Sequence, residues 1–383
     1  MSRRNPPAHP KAAPARSSPP DAGARRAWTL GLALLLAAVV LGLLSLAVGS
    51  TGLAPGLEVL GQLLNGLVGA PAPADASAVK GAVATNAAPL AGQLSAQIVW
   101  DIRAPRALGA FLAGALLGLA GAVAQGLFRN PLADPFLLGS ASGAALGVAV
   151  ALAGLGVHPG ALMGAAGWLV RLGLTGAAFL GAVLAVLLTL LLARGVQHTL
   201  RLLLAGVVVG VVLGALSSLV ALFSPDILQA MQGFMLGSTA FVGWSSVGLM
   251  AGVWLPALVV ALAFSRVLDG LSLGEATAAS LGLPLGALRV ALVGVLALAT
   301  GTAVAQTGLI AFVGLAAPHL VRSVVKTTHA RLLVLASLMG GVLLLLADAL
   351  ARGLLAPQEL PVGVLTAVLG GGYLLVLMHR RVG

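Results

Sequence analysis

Residues 104–125 read APRALGAFLAGALLGLAGAVAQ, and no Asp, Glu, Lys or Arg stands between Arg106 and Arg129. As a helix, a run of that length spans the roughly 30 Å hydrocarbon core of a bilayer, because a helix rises about 1.5 Å per residue and satisfies its backbone amides within itself. Its Gly and Ala residues let neighbouring backbones approach closely. The same reading marks spans at 28–49, 137–156, 173–193, 202–222, 244–264, 289–307, 309–325, 332–351 and 363–379. The expected fold class is therefore an all-α polytopic membrane protein of about ten transmembrane helices.

Composition closes off the alternatives. With 59% hydrophobic and 8% charged residues among 383, a soluble enzyme domain is excluded. The net charge of +11 does not mark a nucleic-acid surface, since the basic residues gather in short clusters at the ends of apolar runs. There is no Cys, hence no thiolate metal site and no cysteine nucleophile. The lysines are Lys11, Lys80 and Lys326, none in a phosphate-binding loop, so the chain does not hydrolyse ATP by that machinery. No cofactor and no metal are expected, and a solitary His319 beside Arg322 reads as structural.

Charge also sets the orientation. Most Lys and Arg fall on one side of the spans, and only Lys80, Arg103, Arg106, Arg171 and Arg352 fall on the other. By the positive-inside rule the richer side, with both termini, is cytoplasmic. Residues 1–27 read as a disordered basic cytoplasmic tail and 28–383 as the membrane domain, the first apolar run being too long for a signal-peptide core.

Three connections stand out. Residues 51–97 form an enlarged external loop rich in Ala, Gly and Pro. Between the fifth and sixth spans, Ser224-Pro225-Asp226 predicts a capped short helix at the outer mouth. The third, the cytoplasmic loop 265–288, holds Ser272-Leu-Gly-Glu275, which has the spacing of a capping box, while Gly282 and Pro284 supply a stop after Leu281. A capped helix over 273–281 serves equally as a connector or as a docking surface.

Asp348 is the sole acid well inside a span and stands four residues before Arg352, so an ion pair on the helix surface is its plain use. Little remains for a proton relay, which weighs against the rival class, an ion-coupled secondary transporter or channel.

Several blocks then resemble a known family. Trp100-Asp-Ile-Arg103-Ala-Pro-Arg106, Gly121 to Pro135 with Asn130-Pro-Leu132-Ala-Asp134, Leu273 to Pro284, Gly308 to Arg322 with Pro318-His319, and Glu359-Leu-Pro-Val-Gly363 are similar, in order, to the FecCD permeases. The resemblance implies a type II permease fold for an ATP-binding-cassette importer in the bacterial inner membrane, working as a homodimer. It implies two cytoplasmic ATP-binding subunits and a periplasmic substrate-binding protein as partners. Arg103, Arg106 and Arg352 would then dock acidic residues of the binding protein, a use to which guanidinium suits carboxylate. Ser272, Gly274, Glu275, Leu281 and Gly282 would couple to the ATPases. Asn130 and Leu132, with Thr199 and Leu200, would form the cytoplasmic gate; Leu200 departs from the small hydroxyl usual there. The implied cargo is a bulky metal chelate, with an iron-siderophore favoured over haem or cobalamin.

Overall fold

A computed structural model describes residues 20–47, 96–155, 167–193, 199–223, 225–280 and 285–382. Residues 1–19 of the expected tail, most of the 51–97 loop, Ser224, Leu281 and Gly282 lie outside the described residues. The described elements are helical: α1 (Pro20–Ala47), α2 (Ala104–Phe128), α3 (Ser140–Leu155), α4 (Gly167–Leu192), α5 (Thr199–Leu222), α6 (Pro225–Leu236), α7 (Trp244–Ala263), α8 (Ser265–Ser272), α9 (Glu275–Ser280), α10 (Leu285–Thr307), α11 (Val313–Val324), α12 (His329–Gly353) and α13 (Val362–Val382). A wide helical turn, Val99–Arg103, leads into α2, and a short tight turn, Pro135–Leu138, leads into α3.

Among the described residues, seven helices are long and apolar enough to cross a membrane: α1, α2, α4, α5, α7, α10 and α12. The apolar parts of α3 and α13 are shorter. The first helix starts at Pro20, inside the expected tail, with proline in the first turn where its missing N–H costs nothing.

One expected span is corrected. Residues 309–325 do not form a crossing helix, since α11 has 12 residues, about 18 Å of rise, and begins only at Val313. Gly308 and Phe312 adopt positive φ, +69° and +68°, which breaks the helix between α10 and α11. The irregular backbone is satisfied by another irregular segment: Leu309 N donates to Phe234 O at 3.0 Å, and Ser238 N to Thr307 O at 2.7 Å. Non-helical backbone persists at membrane depth only where protein pairs it in this way.

The α2 helix is the axis of the bundle, buried along almost its whole length. It lies antiparallel to α12 at backbone contact. A Cβ on Gly114 would sit 2.2 Å from Gly340 O, and one on Gly118 would sit 2.2 Å from Ala336 O. Small residues are required there because lipid tails are as apolar as leucine, so close packing rather than water exclusion holds such helices together. Ser337 Oγ adds a hydrogen bond to Ala115 O at 3.0 Å and accepts Trp254 Nε1 at 2.7 Å. By contrast α1, α5 and α7 turn rows of Leu and Val outward, among them Leu36, Val211 and Val259.

Candidate functional site

The antiparallel pair α2 and α12 defines two ends of the molecule, and the residues singled out from sequence divide between them. At the arginine end, α2 begins and α12 finishes. Arg103, half-buried, donates NH1 to Leu46 O at 2.8 Å and Ala47 O at 3.3 Å, the carbonyls that the last turn of α1 leaves without helical partners. Beside it Trp244 Nε1 donates to Trp100 O at 3.0 Å, with the two indole rings 4.9 Å apart. Exposed Trp at a helix end is the expected anchor at a membrane–water boundary.

Arg106 and Arg352 face inward. Arg106 Nε lies 3.0 Å from Asp348 Oδ1, and its NH1 lies 2.9 Å from Glu359 Oε2. Arg352 NH2 lies 2.9 Å from Asp348 Oδ2. Arg352 NH1 donates to Ser45 O at 3.0 Å, its NH2 also bonds the Ser45 hydroxyl, and the Thr239 hydroxyl donates to Asp348 Oδ1. Asp348 is 0% exposed, so its pairing with Arg352 is not the helix-surface contact its spacing suggested. It is the centre of a network of two buried guanidiniums, its own buried carboxylate and the partly exposed carboxylate of Glu359, which ties α1, α2, α12 and the segment before α13. Sequence reasoning missed the part played by Glu359, whose only local signal was its place in the family-like Glu359-Leu-Pro-Val-Gly363 block.

At the opposite end α2 stops at Phe128, where Arg129 takes a left-handed conformation, φ +51°. Asn130 N returns to Gln125 O at 3.2 Å, and the Asn130 side chain accepts Leu132 N at 2.9 Å, closing an Asx turn that leaves Leu132 45% exposed. Asp134 caps the next turn by accepting Phe136 N at 2.8 Å. Burial pushes its carboxyl above the usual range, and the Phe136 N–H opposes that rise. Gln125, buried, holds the base of the turn: its Nε2 donates to Leu315 O at 3.1 Å, and Arg322 NH1 donates to its Oε1. The turn Pro135–Leu138 sits on α5, where a Cβ on Gly206 would meet Leu137 O at 2.1 Å. Thr199 opens α5, and Leu200 beside it is 70% exposed. His319 packs edge-on against Tyr373, with ring centroids 5.8 Å apart.

The expected capping box is also corrected. Ser272 is the last residue of α8, and its hydroxyl donates to Asp269 O at 2.6 Å. The helix begins at Glu275 after Gly274, whose φ of +109° turns the chain. Leu281 and Gly282, the expected stop, lie outside the described residues.

The FecCD transport family model matches residues 34–380. The chain belongs to that family. Vitamin B12 import system permease proteins BtuC of Salmonella schwarzengrund and Salmonella typhi are each 42% identical to this FecCD chain over 284 residues, 74% of it and 83% of theirs. A solved inward-facing structure, described as a metal-chelate type ABC transporter, aligns with a TM-score of 0.72 at 27% identity, covering 92% of the FecCD chain and 99% of its own. The fold is that of type II ABC importer permeases, and the chain is a multi-pass permease of that importer class.

Proposed function

We propose that this permease imports a corrinoid of the vitamin B12 type, received from a periplasmic binding protein and moved by two cytoplasmic ATP-binding subunits through a homodimeric path. The observation that carries the substrate class is the 42% identity, over most of both chains, to permeases named for vitamin B12 import. This reverses the order expected from sequence, in which an iron-siderophore came first. The arginine end faces the periplasm, where Arg103 offers the accessible guanidinium, and Arg106 joins docking by exchanging Glu359 for an acid of the binding protein, with Arg352 holding Asp348 in place behind it. The Asn130–Leu132 turn and Thr199–Leu200 form the cytoplasmic gate, and Gly274 and Glu275 lie in the arm that meets the ATPases. Ion-coupled transport finds little support, because Asp348 is committed to two guanidiniums.

Reconstitution of the permease with its ATPases and binding protein in proteoliposomes tests this. ATP-dependent accumulation of cyanocobalamin, with ferric siderophores excluded, is the expected result. Uptake of ferric siderophore alone would return the substrate to the iron class, and uptake driven by an ion gradient without ATPase subunits would overturn the importer.

A further inference from the structure

The α8 helix connects through Leu273 and Gly274 to α9, and one of its side chains reaches across to the first turn of α12. Asp269 Oδ1 accepts the backbone N–H of His329 at 3.0 Å and lies 2.7 Å from His329 Nδ1, which donates to the carboxylate. Thr328, the residue before α12, gives no side-chain cap, so a carboxylate from another helix supplies what the N-terminus of α12 lacks. The imidazole in turn rests on α2. A Cβ on Gly126 would lie 3.2 Å from His329 Nε2 and 3.1 Å from the Leu268 side chain, so only a residue without one leaves α8 and the ring in place. Gly126 is in the turn of α2 from which the Asn130–Leu132 turn hangs, since Gly126 O accepts Arg129 N at 3.4 Å and Gln125 O accepts Asn130 N at 3.2 Å. Leu268 and Leu271 are fully buried while Ser272 and Leu273 are exposed, so α8 is held on one face and open on the other.

We infer that the Asp269–His329 clasp, seated on Gly126, is the positioning element that carries movement of the α8–α9 arm to the gate turn and to α12. The inference rests on the importer reading, in which that arm meets the ATPases. Asp269 grips both the backbone and the ring of His329, so displacement of α8 moves the start of α12 with it. The ring bears on bare backbone at Gly126, so the same displacement reaches the end of α2 without a flexible side chain in between. At its far end α12 carries Asp348 and Arg352, and one rod thus joins the cytoplasmic arm to the periplasmic mouth.

The test uses the full complex in proteoliposomes and reads cobalamin imported per ATP hydrolysed. Asp269→Ala removes both contacts, and His329→Phe keeps a ring against Gly126 but loses the donor. Each is expected to lower the ratio roughly fivefold or more, the scale of coupling between linked sites, with ATP hydrolysis and assembled complex unchanged and the double variant no worse than either single one. Gly126→Ala, which pushes the ring from the other side with the hydrogen bonds retained, is expected to lower the ratio as well. Should Asp269→Ala fail to assemble, His329→Phe and Gly126→Ala decide by the same measure. A normal ratio in those two, or a fall in uptake matched by loss of assembled complex, would overturn the clasp. A wild-type complex that hydrolyses ATP without import would instead overturn the importer reading and the clasp with it.

Discussion

The two ends of α12 are held by the same chemistry under different conditions. At the arginine end Asp348 is fully buried and receives two guanidiniums and a hydroxyl. At the opposite end Asp269 is 41% exposed and His329 14%, and one carboxylate oxygen serves both contacts. A buried pair is costly to break because a lone charge is left without water. A partly exposed pair is worth less because solvent screens it, and here the backbone N–H of His329 adds a second contact to the same carboxylate. One end of the rod is thus fixed, and the other is free to follow the arm it grips.

Removing the buried carboxylate should break this contrast most sharply. Asp348→Ala leaves two buried guanidiniums facing each other and is expected to cost roughly 3–5 kcal/mol. Thermal unfolding in detergent should show a large fall in midpoint. Glu359→Ala, which removes the half-exposed partner of Arg106, should cost about 1 kcal/mol or less by comparison. Equal effects from the two would mean that burial does not distinguish them.

The next largest effect lies between the two ends. Gly118→Val drives a branched side chain into Ala336 O, which a Cβ alone would meet at 2.2 Å, and the neighbouring atoms are backbone that does not rotate aside. Separation of α2 from α12 should cost about 1–3 kcal/mol. It should also weaken transmission from one end of α12 to the other, so import per ATP falls along with stability. Stability lost with coupling intact would show that the helices do not move as one rod.

The runs that became α1, α2, α4, α5, α7, α10 and α12 were legible because crossing a bilayer is a local requirement, met residue by residue within each run. The inward turn of Arg106 was not, since its partner Asp348 lies 242 positions away and a basic residue at the start of a span equally suits a headgroup or a partner protein. The expected span 309–325 failed for a related reason. Hydropathy counts apolar side chains, whereas the break at Gly308 and Phe312 depends on backbone partners at Phe234 and Thr307. Ser272 satisfied the capping-box spacing, yet the pattern carries no sign of α8, whose Asp269 carbonyl takes the hydroxyl instead. The clasp was invisible for the same reason, because Asp269 and His329 are 60 positions apart and neither stands in an arresting motif. The Asn130–Leu132 turn was half legible: Asn130-Pro131 announces an Asx turn, but its attachment to Arg322 through Gln125 does not show in the sequence.

A smaller effect sharpens the account of the middle of the rod. Ser337 bridges Trp254 Nε1 and Ala115 O, joining α7, α12 and α2. Interhelical hydrogen bonds in membranes average only about 0.6 kcal/mol, because the separated helices also find partners. Ser337→Ala should therefore lower the unfolding midpoint slightly and leave import per ATP unchanged. A loss as large as that of Gly118→Val would assign the contact to hydrogen bonding rather than to backbone packing.

The smallest effect on stability should come at the exposed Leu132 and Leu200, the proposed gate residues. Leu132 is 45% exposed and Leu200 is 70% exposed, so Leu132→Ser and Leu200→Ser remove little buried apolar surface, and each should change stability by no more than about 0.5 kcal/mol. Their expected consequence is functional. An apolar constriction closes a pore by dewetting, and a hydroxyl in its place invites water. Proteoliposomes carrying the double variant should leak preloaded cobalamin without ATP, while wild-type vesicles retain it. A tight double variant would move the gate away from these two side chains, although the turn itself, pinned at Gln125 and beneath His329, could still move as a unit.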